Sequence, residues 1–324
     1  MDAMTATNSY LQREALACLR ATPKVLHPKW FYDETGSALF EAITALPEYY
    51  LTRTERKILQ DNIATIAAHV PQGAALIELG SGASTKTRIL LDAVDAIAAY
   101  VPVDISESFL HVVAQEIDRS YPALDVAPLV GDLLQPLDLP DAVAGRPALG
   151  FFPGSTLGNL EPPEAGALLR RIRHWPNLAG LVLGVDLVKD PQVLVRAYDD
   201  ALGVTAAFNR NVLVRLNRDA DADFDPDRFA HEARWNAEKA RIEMHLVSRC
   251  DHDVRIGSET VSFRAGESIH TENSHKYTRD ALEQMAEQSG CRVTEFITDA
   301  NDWFGVAILS PDAVAPSRET VRTA

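Results

Sequence analysis

Cysteine is scarce in this sequence: Cys18, Cys250 and Cys291 are the only three, odd in number and far apart. That spacing argues against a disulfide frame and against a cysteine-based zinc site, and it fits reduced thiols in the cytoplasm. No apolar run reaches the roughly 18 residues that a membrane helix needs. The opening stretch, MDAMTATNSYLQREALACLR, lacks the basic start and apolar block of a secretory signal. Positive charge is also in short supply, with 31 Lys and Arg against 46 Asp and Glu and a net charge of −15. Such a surface repels phosphate backbones, so no nucleic-acid and no membrane partner is expected. A small molecule is the expected ligand, and a monomer the expected state.

What is present is an ordinary globular composition, 46% hydrophobic and 24% charged over 324 residues, enough for about two domains. The middle of the chain alternates short apolar runs, AALIEL (74–79), AYVPVD (99–104), DVAPLV (125–130), ALGFFP (148–153) and GLVLGVDL (180–187), with helical patterns near 84–95, 106–119 and 163–173. Strands apolar throughout and separated by helices predict a parallel sheet covered on both faces, a doubly wound α/β domain. A capped helix at 278–290 and two closing strands, VTEFIT and FGVAIL, complete a Rossmann-like sheet of the methyltransferase type. Residues 1–53 and 189–276 do not fit that sheet. They are expected to fold together as a smaller α+β substrate-binding lid over its carboxyl edge, where open α/β sheets bind ligands. The core is then 54–188 plus 277–312, with 313–324 as a loose tail. Within the insert, PQVLVRAYDDALGVTAAFNRNVL is helical in pattern, and RIEMHLVSR, DVRIGSETVSF and SIHTENSHKY alternate as strands do.

The chemistry concentrates at strand ends. In LIELGSGASTKTRILLDA (76–93), Gly80 and Gly82 let the backbone turn sharply beside a ligand, and the following helix start offers free N–H groups. The dinucleotide pattern G-x-G-x-x-G fails because position 85 is Thr. Asp104 ends the second strand, where a carboxylate accepts ribose hydroxyls, and Asp132 follows the third, within reach of an exocyclic adenine amine. Two carboxylates and a glycine turn suit an adenosine without pyrophosphate, as in S-adenosylmethionine. Ordinary turn glycines and helix-capping aspartates would leave the same trace. FFPGSTLGNL (151–160) falls short of a hydrolase nucleophile elbow because its centre is Thr156. Its Asn159 serves equally as a ligand group or a turn residue. In HTENSH (270–275), strand alternation puts His270 and Glu272 on one face and His275 on the other, which disfavours a metal site; none is expected. Glu272 and Ser274 share a face and suit one polar side chain. Tyr32, Tyr49, Tyr50 and Tyr198, taken singly, read as core residues with satisfied hydroxyls. A non-catalytic adenosine-binding regulator would keep the glycine turn and lack the polar set on the insert.

Taken together, KWFYDETGSALFEAITALPEYYLTRTE, IELGSGASTKTRILLDA, PGSTLGNL, LVKDPQVLVRAYDDALGVTAAFNRNVL, RIEMHL and TENSHKY resemble the histidine-specific methyltransferase family, from about residue 20 to residue 310. The resemblance implies three methyl transfers from S-adenosylmethionine to the α-amino group of L-histidine, giving hercynine, the first step of ergothioneine biosynthesis. It implies cofactor contacts at Gly80, Lys86, Asp104, Asp132 and Leu133. It implies histidine contacts at Tyr49, Asn159, Tyr198, Met244, Glu272 and Ser274, with Asn159 and Tyr198 on the carboxylate and Glu272 and Ser274 on the imidazole. Tyr32 and Gly154 match positions near the amine. Leu133 departs from the pattern, since an aromatic residue is expected beside the adenine.

Overall fold

The computed structural model of the chain describes residues 3–312, so the expected tail 313–324 lies outside the described residues. The large sheet runs in the order Cys291–Thr298, Phe304–Pro311, Leu178–Asp186, Ala148–Phe152, Ala74–Leu79, Ile97–Asp104, Asp125–Val126. It is parallel apart from the two closing strands, which pair antiparallel. Its central strands are buried along their whole length, as continuous apolar runs require. Tyr100, Phe151 and Phe152 are among the largest fully buried side chains; burying one such residue stabilises by about 1.5–3 kcal/mol.

A second sheet holds Lys24–Val25, Ser268–His275, Arg241–Ser248 and Phe229–Asn236 in that order. The N-terminal segment and the insert therefore share one sheet, with Lys24 and Val25 parallel to Ile269 and His270. The hairpin His252–Ile256 and Glu259–Phe263 stands apart as its own pair.

The structure departs from the sequence reading at several points, each with a local cause. The third strand is split into Asp125–Val126 and Leu129–Val130, because Pro128 has no N–H to give the ladder. The helix near 84–95 shrinks to Thr87–Ala93, since Ser84 sits in a turn with φ 51°. The helical pattern after residue 190 breaks at Gly203, with φ 73°, into Pro191–Tyr198 and Val204–Asp219. Residues 53 and 54 fall inside one helix, Tyr50–Asp61, which packs on strand Phe304–Pro311. Strand Phe229–Asn236 is not among the expected strands, because His231 interrupts the face that carries Phe229, Ala233 and Trp235; it is an edge strand, and Phe229 is its one buried residue. Finally, a β-bulge between His270 and Glu272 changes which face each side chain takes.

The two sheets meet where the turn Thr156–Asn159 lies against strand Ser268–His275. Gly158 makes that approach possible, since a Cβ there would stand 2.6 Å from the His275 carbonyl oxygen and 3.2 Å from its nitrogen. Gly158→Ala is expected to lower the unfolding free energy by about 1–3 kcal/mol, measured by urea denaturation; a cost within experimental scatter would show that the turn is free to shift.

Candidate active site

One cavity of about 570 Å³ opens at the carboxyl ends of the parallel strands, and the thirteen contact residues implied by the family resemblance all line it, whereas Tyr50, His270 and His275 do not. At one end is the glycine turn. Gly80 (φ 67°) and Gly82 (φ 47°) both take left-handed backbone, and a Cβ on Gly80 would meet only the Thr156 methyl, at 3.8 Å. Asp104 accepts from the backbone N–H of Gly82 (3.1 Å) and of Ser106 (2.9 Å). It thus organises the turn while its oxygens keep further lone pairs. Asp132 likewise accepts from Leu134 N, at 2.8 Å. Both aspartates therefore cap backbone groups and line the cavity. Leu133 lines it too, where its aliphatic side chain offers contact without an aromatic face.

Lys86 lines the same end and is tied to Glu55, a buried carboxylate on helix Tyr50–Asp61. Glu55 also accepts from the Gly154 N–H at 2.9 and 3.0 Å. It lies over Gly184, where a Cβ would come within 2.0 Å of its oxygen, so only glycine leaves room for it there. Glu78, buried at the end of the first strand, is hydrogen-bonded by the Tyr100 hydroxyl, and burial pushes its carboxyl up to about 7.

The other end of the cavity is aromatic and polar. Tyr49 and Tyr198 meet edge to face at 6.0 Å, and Tyr32 meets Phe40 and Phe208 in the same manner at 5.8 Å each. Burial pushes all three tyrosine hydroxyls far above their usual range, so they stay protonated. Met244 pairs across the strands with Glu272 and faces the cavity with it. Asn159 donates to Glu272 at 3.3 Å, and the Tyr198 and Ser274 hydroxyls lie 2.8 Å apart. Burial pushes the Glu272 carboxyl up to about 8, opposed only by the charge of Lys276.

The bulge corrects one expectation: His270 does not share the face of Glu272. It lies across from His245, with the rings stacked at 4.9 Å, while Glu272 pairs with Met244. Glu243, His245 and His270 form a group whose candidate ligand atoms lie within 4.8 Å of one another. The Glu243 carboxylate is already held by Arg241 at 2.8 Å and Asn236 at 3.0 Å. Burial and the Arg234 charge push His245 down to about 4. The three cysteines are free thiols.

Sequence reasoning missed the buried ions behind the cavity wall. Asp186 is fully buried and holds Lys189 at 2.6 Å, Lys276 at 2.8 Å and the Tyr50 hydroxyl at 2.8 Å. The available signal was an aspartate closing an otherwise apolar strand, GLVLGVDLVKD, and a lysine directly after TENSH.

A glycine turn with two carboxylates at successive strand ends suits the adenosine of S-adenosylmethionine, and the family match identifies the class as an S-adenosylmethionine-dependent methyltransferase. A family model for histidine-specific, SAM-dependent methyltransferases matches residues 11–311, and the chain belongs to that family. It is 44% identical to the histidine N-alpha-methyltransferase of Mycolicibacterium smegmatis, over 92% of this chain and 94% of that protein. Ergothioneine biosynthesis protein 1 of Neurospora crassa is 29% identical over 89% of this chain and 33% of that much longer protein. Among solved structures, the CurJ carbon methyltransferase aligns with a TM-score of 0.48 at 13% identity, over 96% of this chain and 67% of that one. No helix among the described residues is long and apolar enough to cross a membrane.

Removing Glu55 leaves the Lys86 ammonium and the Gly154 N–H without their shared acceptor. Glu55→Ala is therefore expected to cost about 3 kcal/mol of folding stability, read from chemical denaturation. A loss below about 1 kcal/mol would mean that water replaces the carboxylate without penalty.

Proposed function

We propose that this enzyme transfers three methyl groups from S-adenosylmethionine to the α-amino nitrogen of L-histidine, giving hercynine, the trimethylated betaine from which ergothioneine is made. The observation that carries the reading is the grouping of Glu272, Ser274, Asn159 and Tyr198 at one end of a cavity whose other end is the glycine turn. In this reading the large sheet supplies the cofactor half. The N-terminal segment and the insert supply most of the substrate half. Gly80 lets the backbone close on the donor, Asp104 takes its ribose, Asp132 its adenine amine, with Leu133 packing alongside, and Lys86 its carboxylate.

The donor brings a sulfonium methyl, already reactive towards a neutral amine. The protein's task is to hold the nitrogen in line, roughly 3 Å from that carbon, and to let its proton depart. The nitrogen grows at each transfer, so the substrate is best held by its two far ends. Asn159 and Tyr198 hold the carboxylate, and Glu272 and Ser274 hold the ring, with Met244 against its face. Tyr32 and Gly154 lie near the amine, and Tyr49 lines the histidine site. Glu272 suits an imidazole N–H, and still better an imidazolium, which supports histidine over tryptophan or tyrosine.

Two measurements test this. Mass spectrometry of histidine incubated with enzyme and S-adenosylmethionine should reveal products carrying one, two and three added methyl groups. Accumulation of a monomethyl product alone would refute the trimethylation, and unmodified histidine would refute the substrate. The second concerns pH. With its carboxyl near 8, free Glu272 holds a proton at neutral pH and loses it as pH rises. Accepting the imidazole N–H as a carboxylate therefore costs free energy below about pH 8. The kcat/KM for histidine should fall as pH drops from 8 to 6. Glu272→Gln should weaken histidine by about 1–3 kcal/mol and remove that ionisation, leaving the substrate's own.

A further inference from the structure

Lys276 directly follows strand Ser268–His275, and its side chain has no exposure to solvent. Its ammonium has three N–H bonds and three partners. It donates to the Ser274 hydroxyl at 2.7 Å and to the Tyr198 hydroxyl at 2.9 Å, and it is paired with Asp186 at 2.8 Å. Asp186 in turn is held by Lys189 and the Tyr50 hydroxyl, so the lysine is fixed from behind and has no freedom to swing. Its nitrogen also lies 4.6 Å from the centre of the Tyr198 ring.

The consequence follows from counting protons. Each hydroxyl carries one proton, and each already accepts one bond from the ammonium. In the unliganded arrangement one hydroxyl gives its proton to the other, across 2.8 Å. A ligand that offers two acceptors lets both protons turn into the cavity. A cation directly behind both oxygens disfavours any second N–H approaching from the front. Glu272, two residues before Ser274 on the same face, is the opposite kind of group once ionised, an acceptor. The wall therefore presents one acceptor and two donors in fixed order. Neutral imidazole has one N–H and one bare nitrogen, and the carboxylate at the other end needs a donor.

We propose that Lys276 is a positioning residue: it commits Tyr198 and Ser274 to donate into the cavity, and thereby makes the site select a ring with an unprotonated nitrogen. The inference rests on the histidine reading above and adds the residue that enforces it. A site built around a fixed donor rejects a ring lacking the matching acceptor far more strongly than shape alone does.

The test compares histidine with 3-(2-thienyl)alanine, a five-membered ring of similar size without nitrogen, in wild-type enzyme and in Lys276→Met. The variant should raise KM for histidine about hundredfold, as expected when two charge-assisted bonds lose their direction. The kcat should change far less, and S-adenosylmethionine affinity by calorimetry should stay within about twofold. Preference for histidine over the thienyl analogue should fall by about tenfold or more. An unchanged histidine KM and preference would overturn the proposal. So would a uniform fall in kcat and donor affinity with the preference retained, the mark of a merely structural role. Should Lys276→Met fail to fold, Lys276→Gln, which keeps a donor towards Asp186 and leaves the Asp186–Lys189 pair intact but removes the cation behind the two hydroxyls, is read in the same way. A wild-type measurement stands independently: the nitrogen NMR spectrum of labelled histidine bound with S-adenosylhomocysteine should contain one protonated and one bare ring nitrogen at neutral pH. Two protonated nitrogens would overturn the donor assignment. Wild-type enzyme that binds and methylates no histidine would instead refute the underlying function.

Discussion

Asp186 closes the fifth parallel strand with a carboxylate entirely removed from water, a placement that only strong compensation allows. The compensation comes from three parts of the chain. Tyr50 starts the helix that follows the N-terminal segment, Lys189 lies at the entrance to the insert, and Lys276 leaves the insert. One carboxylate thus binds the large sheet, the first segment and the returning strand to a single point. The cavity wall built on that strand takes its position from the same point. Because the neighbours are cations in low dielectric, the arrangement is directional as well as strong. Burial holds the Lys189 ammonium down to about 8 and lowers Lys276, with Asp186 opposing the shift in both.

A second buried carboxylate organises the opposite end. Glu55 reaches from its helix over Gly184 to hold Lys86 and the Gly154 N–H together. The loop after the fourth strand and the lysine beside the glycine turn are therefore set by one group. Both ends of the cavity follow the same physical logic: an ion buried behind the wall fixes the groups that face the ligand. At the aromatic end the groups that face the cavity are mostly uncharged: the tyrosine hydroxyls, Ser274, Asn159 and Met244. Glu272 is the exception there, and burial raises its carboxyl against the opposing charge of Lys276.

Much of this was legible in the amino-acid sequence. Continuous apolar runs such as AALIEL and ALGFFP can be stable only as strands covered on both sides, so the parallel sheet follows from them. Gly80, Gly82, Asp104 and Asp132 stand directly after such runs, and a strand end is where a parallel sheet opens to ligands. The buried ion clusters were not legible. Glu55 looks like one more charge on an amphipathic helix, and Lys189 and Lys276 look like solvated residues at loop entrances. What buries them is packing from segments distant in the chain, as where Lys189 meets the Tyr50 hydroxyl, 139 residues away.

Local rules also failed at defined places. Period-two alternation put His270 beside Glu272, but one bulged residue, Thr271, sends His270 to the other face while its own hydroxyl bonds the Met244 carbonyl at 3.0 Å. Strand Phe229–Asn236 packs Phe229, Ala233 and Trp235 inward around the polar His231 and is completed by pairing along Arg241–Ser248. The sequence by itself determined the sheet, its strand-end glycines and carboxylates, and the family of the chain, since these depend on short-range patterns of burial and turn geometry. Only the tertiary structure decided which charges are hidden, which face each residue of Ser268–His275 presents, and which hydroxyls Lys276 grips, because those are set by contacts between distant segments.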